Sequence, residues 1–203
     1  MFFRVLKDEI RYDLKVLICD GNEDIVLAAR KVYGNTFFVQ HCTRHYSEGL
    51  KYRAGRLGVL EHPRTQEMID AIKGIVYANN LTIANERLAR LGRKRFKHEA
   101  HKQILEDFYE DVDTLTTYLQ YPNTPIPRTN NDIENLFRQV NQRLTTMCRF
   151  GKFSYAHNYM RAWALMRRFT PFTDCRGRRR VRNGKAPLEI AGCDIDGIDY
   201  LDL

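Results

Sequence analysis

No apolar run in this 203-residue chain approaches the roughly 18 residues that a bilayer-spanning helix needs. The N-terminus, MFFRVLKDEIRYD, has acids where an export signal carries its apolar stretch. Cysteine is sparse. The five present are an odd number without regular spacing, which excludes a disulfide framework and points to a reducing, cytoplasmic compartment. Tryptophan occurs once, no Gly-rich phosphate loop or nucleophile elbow is present, and no internal repeat recurs. These absences remove membrane, secreted and ordinary nucleotide-binding classes. What remains is a chain with 43% hydrophobic residues, including 11 Tyr and 11 Phe, enough to fill one medium core or a core with an appendage.

Charge is unevenly spread. The net is +8, but 13 Lys and Arg against the single acid Asp174 fall between Asn135 and Lys185, a local excess of +12. Beyond Lys185 there is no Lys or Arg, while Glu189, Asp194, Asp196, Asp199 and Asp202 follow. A near-neutral body, a basic region and a short acidic tail suggest a polyanion held mainly by one region; a solvated basic face is the plainer alternative.

Phe2 to Tyr12 reads as a helix, with Phe2, Val5, Leu6 and Ile10 on one face. Lys15 to Gly21 is a short apolar run ending in Asp-Gly, the pattern of a buried strand with Asp20 at its C-terminal end. Ile25 to Tyr33 predicts a helix closed by Gly34-Asn35, and Phe37 to Gln40 a second strand, together a parallel strand–helix–strand unit. From Ser47 to Gln120 the period is helical, with stripes at Met68, Ile72, Ile75 and Val76 and at Ile104, Phe108, Val112, Leu115 and Leu119. Three prolines between 121 and 127 break it. A helix from Asn131 is predicted to bury Ile133, Leu136, Phe137, Val140 and Leu144, and another runs from Phe153 to Phe169 before Pro171. Gly177 to Gly184 reads as an extended or loop segment, and the tail has room for one short helix.

Three places carry candidate chemistry. Two-metal phosphoryl transfer needs carboxylates on rigid elements. Asp20, leaving a strand, meets that need, although Asp-Gly after a strand is also a common turn. Glu134, on a helix, meets it too, yet it also suits a capping box with Asn131 and an ion pair with Arg138. His41, Cys42 and His45 form a third cluster, in which the Cys-x-x-His pair is half a zinc site or a packed cysteine beside a polar histidine; Cys148, His157, Cys175 and Cys193 are the remote residues that could complete it.

Three stretches resemble the mutator-like superfamily of DDE transposases, which includes many bacterial and archaeal insertion-sequence enzymes. KVLICDGNEDIVLAARKVYGNTFFVQHCTRH resembles the family's segment with its second catalytic Asp and a Cys-x-x-His motif. PNTPIPRTNNDIENLFRQVNQRL resembles the segment with the catalytic Glu, and GKAPLEIAG resembles a tail motif seen in many transposases. The resemblance implies an α/β, RNase H-like fold, partial at its first strands, with an all-helical insertion and a helical C-terminal part. The corresponding division is a core over 1–46, an insertion over 47–128, the final catalytic and packing helices over 129–170, and a basic segment with an acidic tail over 171–203.

It also implies that Asp20 and Glu134 are catalytic and bind Mg²⁺ or Mn²⁺, that double-stranded DNA (transposon ends and target) is the partner, and that the enzyme is a nucleoid-associated homo-oligomer. Arg138 and Arg143 are expected to contact phosphate near the scissile bond, and Arg176, Arg178, Arg179, Arg180 and Arg182 to track the DNA backbone. The family's first Asp has no counterpart before the Asp20 strand, since Asp8, Glu9 and Asp13 fall on the predicted first helix. The chain alone is therefore expected to be inactive in strand cleavage and transfer. The alternative is a noncatalytic DNA-binding or regulatory remnant.

Overall fold

The computed structural model describes residues 2–124, 126–147 and 150–199, without the side chains of Asp132 and Arg178. The chain is α/β and mostly helical, with one two-strand parallel sheet. It divides into two compact units, Met1–Phe137 and Arg138–Leu203.

In the first unit, helix α1 (Phe2–Arg4) passes into a π-helical turn (Val5–Glu9). Helix therefore stops at Glu9 instead of Tyr12, because Arg11 takes a left-handed conformation (φ 55°) and turns the chain; Asp13 lies beyond the helix in irregular chain, where it pairs with Lys15. Strand β1 (Val16–Cys19), helix α2 (Glu23–Tyr33) and strand β2 (Phe38–His41) form the expected parallel unit, in register from Val16 opposite Phe38 to Cys19 opposite His41. Asn22 starts α2 by accepting the Asp24 amide (2.9 Å), Glu23 and Asp24 face the positive end of the helix dipole, and Gly34 (φ 69°) closes it. A small cluster of Leu14, Ala29, Tyr33 and Phe37 holds this unit.

Five helices follow: α3 (Thr43–Arg56), α4 (Pro63–Val76), α5 (Leu81–Gly92), α6 (Glu99–Leu115) and α7 (Thr117–Gln120). Helix thus begins at Thr43, four residues earlier than the hydrophobic period indicates, and the first turn of α3 carries the Cys-x-x-His motif. Local chemistry sets the starts: His62 accepts the Arg64 amide with Pro63 at the first helical position, Asn80 accepts the Ile83 amide, and His98 accepts the Ala100 amide. The predicted stripes meet in one core. Met68, Ile72, Ile75, Val76, Ile104, Phe108 and Leu115 are fully buried around Leu50 of α3, while Leu119 is buried and Val112 half-buried at the margin.

Gln40 joins the sheet to this body. Its side chain is fully buried, donates to Leu115 O (3.0 Å) and accepts the Tyr118 amide (2.9 Å), so the carbonyl and the N–H where α6 gives way to α7 are satisfied from β2.

Helix α8 (Asn131–Thr146) forms where expected, but its apolar stripe is not wholly buried. Val140 is buried and Leu136 and Leu144 are half-buried, whereas Ile133 and Phe137 are 46% and 58% exposed. Glu134 is turned towards α3, and positions 133 and 137 share a wheel face with Val140 and Leu144, so the stripe is covered from Val140 onward and open at its start.

The second unit contains the rest of α8, helix α9 (Phe153–Phe169) with Trp163 buried, and helix α10 (Pro187–Ile190), the expected short tail helix. Gly177–Arg182 is a 3₁₀ helix, not an extended segment. Asn183 accounts for this. Its side chain accepts the Cys175 amide (2.9 Å) and donates to Cys175 O (3.3 Å), while Phe172 and Asn183 form a β-bridge. With both ends of the loop clamped, the arginine-rich segment winds between them. No described helix is long and apolar enough to cross a membrane.

Candidate metal centre and nucleic-acid interface

The chain leaves β2 directly into α3. Cys42 caps that helix in extended conformation and donates its amide to Cys19 O (2.6 Å), so the ends of the two strands stay together. Thr43 donates both its amide (3.0 Å) and its hydroxyl (3.1 Å) to Arg128 O, which draws the proline-rich segment back to the start of α3. Arg44 donates to Asn131 Oδ1 (3.3 Å), and α8 starts beside it.

This docking gathers Cys42, His45 and Glu134. Their potential ligand atoms all lie within 4.8 Å of one another, and no other such group of three occurs among the described residues. Cys42 is buried; His45 and Glu134 are half-buried. His45 Nε2 lies 3.6 Å from Glu134 Oε1, and Arg44 Nη1 lies 3.9 Å from Glu134 Oε2. Glu134 does not cap its own helix in the expected way. Asn131 Oδ1 is engaged by Arg44, the Glu134 amide goes to Asn130 O (3.1 Å), and the carboxylate faces α3 in place of Arg138. The local reading of Glu134 as a capping-box residue paired to Arg138 is therefore replaced by a tertiary one.

Asp20 occupies a different position. It follows β1 directly, at the C-terminal end of the sheet where ligand-handling groups of α/β units collect, and it is exposed. It is not part of the group around Glu134. The donors gathered at Glu134 are a thiol and an imidazole, which suit zinc-class ions; Mg²⁺ takes hard oxygen donors, and this set does not fit it.

Beside them stands His41, the third member of the expected cluster, with partners that sequence pattern did not disclose. His41, opposite Cys19 in the sheet, has Thr114 Oγ1 3.0 Å and Asp111 Oδ1 3.5 Å from its Nδ1. The Asp111 carboxylate, and then the Cys19 thiol, push the imidazole up to about 9 against the opposing effect of burial. At neutral pH His41 is thus an imidazolium. Arg44 was missed too, although it lies inside the Cys-x-x-His motif; the signal was a cation two residues after one ligand-type side chain and one before the other, at a helix start.

In the second unit, Arg143 lines a cleft of about 220 Å³ with Gln139, Trp163, Arg167, Phe172 and Asp174. The Arg167 guanidinium stacks 4.5 Å from the centre of the Phe172 ring. Arg138, Arg176, Arg179 and Arg180 are exposed and Arg182 is half-buried; the Arg178 side chain lies outside the described residues. Of the remote zinc candidates, Cys148 lies outside the described residues, and His157, Cys175 and Cys193 are not in the cluster.

Compared with known proteins, the chain matches no family model, no curated protein and no solved structure.

Proposed function

We propose that this chain is the DNA-handling part of a DDE-type transposase of the mutator-like superfamily, built on an RNase H-like core, with duplex DNA bound along residues 138–182. The observation that carries the reading is the concentration of 13 cations against one acid between Asn135 and Lys185, on a unit where arginines line a cleft beside Trp163 and Phe172 and stand exposed on a clamped 3₁₀ turn. Phosphate is met by such an array without reading base sequence. The parallel strand–helix–strand unit with Asp20 at its strand end, followed by a helical body and then Glu134, agrees with the order of elements in that family. Because the donors around Glu134 do not fit Mg²⁺, no chemical step is derived through that ion, and the noncatalytic DNA-binding reading gains weight over strand transfer by the isolated chain.

The test is affinity for a fluorescent duplex across a salt series. Binding is expected at low salt and to weaken steeply as salt rises, and replacing Arg176, Arg179 and Arg180 by Gln is expected to reduce the log–log slope by about 2–3. Neutralising Asp20 or Glu134 leaves that affinity unchanged if DNA is held without catalysis; a divalent-metal dependence of binding that either substitution abolishes would restore the catalytic reading. A chain with no duplex affinity even at low salt ends the proposal.

A further inference from the structure

We propose that Cys42, His45 and Glu134 form a binding site for one zinc-class ion, and that the ion pins the first turn of α8 onto the first turn of α3. The inference does not depend on the DNA-binding reading. Its residues all belong to the first unit, whereas the basic array belongs almost wholly to the second.

The geometry comes first. Ligands on a tetrahedral zinc stand about 2.0–2.3 Å from the metal, which separates a nitrogen and an oxygen ligand by about 3.4 Å. The 3.6 Å between His45 Nε2 and Glu134 Oε1 is too long for a hydrogen bond and close to that spacing. Polar satisfaction points the same way. Glu134 Oε1 is a buried atom with no hydrogen-bond partner, and such an atom is costly unless something engages it. An ion takes up Oε1 directly, with His45 Nε2 as its imidazole donor.

Electrostatics agree as well. Cys42 sits at the amino end of the 14-residue helix α3, and a cysteine ligand binds metal as the thiolate. A thiolate, a carboxylate and a neutral imidazole balance the charge of a divalent cation. Arg44 faces the other carboxylate oxygen, Oε2, and so orients Glu134 from behind, as outer partners do in metal sites. Three protein donors leave one coordination position, which water or a further ligand takes. The mixed sulfur, nitrogen and oxygen set selects Zn²⁺ over Mg²⁺.

The contacts of Thr43 with Arg128 and of Arg44 with Asn131 bring the two helix starts together without metal. Binding then adds to the stability of the folded state by mass action, since the unfolded chain does not hold Glu134 beside a ligand pair 89 residues away in sequence.

The experiment is cobalt titration of the full-length chain. Expected are one Co²⁺ per chain, a thiolate-to-cobalt charge-transfer band with the intense visible bands of a tetrahedral site, displacement by one Zn²⁺, and a rise in melting temperature with Zn²⁺. Cys42→Ser abolishes the charge-transfer band, whereas Cys175→Ser and Cys193→Ser leave it. Glu134→Gln weakens binding at least tenfold, the range seen when a metal site loses supporting interactions. Should a variant fail to fold, alkylation of the unsubstituted chain decides: Zn²⁺ protects Cys42 but not Cys193. A cobalt complex without a sulfur band, a band indifferent to Cys42→Ser, or Cys42 alkylated equally with and without Zn²⁺ overturns the proposal. None of these readouts reports DNA affinity, so failure here and failure of the DNA-binding reading are distinguishable.

Discussion

The helical body and the strand end of the first unit are built on opposite terms. In the body, periodic apolar side chains from α3, α4 and α6 find full cover, and buried Thr65 and His101 bond to each other (2.8 Å), although the buried Tyr46 hydroxyl has no hydrogen-bond partner. At the strand end, a cysteine, two histidines, an aspartate and a glutamate converge, and two of their buried polar atoms have no partner. The body supplies stability; the strand end spends some of it on an arrangement that suits a ligand. Natural proteins carry such local conflicts mainly at functional places.

The largest test of this contrast is Phe108→Ala. Phe108 is fully buried in the body, and its truncation is expected to cost about 3–5 kcal/mol in chemical denaturation. Phe37→Ala, in the small cluster beside the sheet, is expected at or below the bottom of that range; equal losses would erase the distinction.

Gln40→Ala comes next. It strands Leu115 O and the Tyr118 amide inside the unit and is expected to cost about 2–3 kcal/mol, the penalty of leaving buried groups unpaired. A loss below half a kilocalorie, within the about ±0.5 kcal/mol of ordinary surface changes, would mean that β2 and the body are held together by other contacts.

The two histidine environments give opposite pH limbs. His41 is raised from 6.5 to about 9, so its contribution is complete below pH 6.5 and is lost as pH rises through about 9. His101 is lowered, by burial first and then by the nearby His62, His98 and Arg64; its contribution is present above pH 6.5 and is lost as pH falls through its folded value. Melting temperature should therefore peak near pH 6.5, declining on the alkaline side up to about pH 9 and on the acid side below 6.5. His41→Asn should flatten the alkaline limb and His101→Gln the acid limb, each leaving the other in place.

The smallest expected effect sharpens the comparison most. In metal-free buffer, Glu134→Gln should change stability by no more than about 0.5 kcal/mol, or raise it, because the carboxylate it replaces is not satisfied at Oε1. A loss above about 2 kcal/mol would make Glu134 an ordinary structural residue.

Much of this was legible from residue order. The strand–helix–strand unit followed from two short apolar runs around a capped helix, and the stripes of α4 and α6 from a period that survives any packing partner. The candidate residues Asp20, Cys42, His45 and Glu134 stood out by type and position. Other features were not legible, for identifiable reasons. The true start of α3 was hidden because Thr43 to Tyr46 carries no apolar period, only a cap position. The exposure of Ile133 and Phe137 was hidden because a helix's stripe does not say how much of its length other elements cover.

By itself, then, the order of residues determined the elements and their apolar faces, since these depend on interactions between near neighbours along the chain: caps, turns and a repeat of 3.6 or 2. It also determined where the positive charge lies. Only the tertiary structure decided that Glu134 meets Cys42 and His45 in place of its own helix cap, that Asp111 charges His41, and that Gln40 closes the junction of α6 and α7. Each of those pairs residues at least 70 positions apart, and at that separation spacing carries no information about contact; the packing of the helical body between them does.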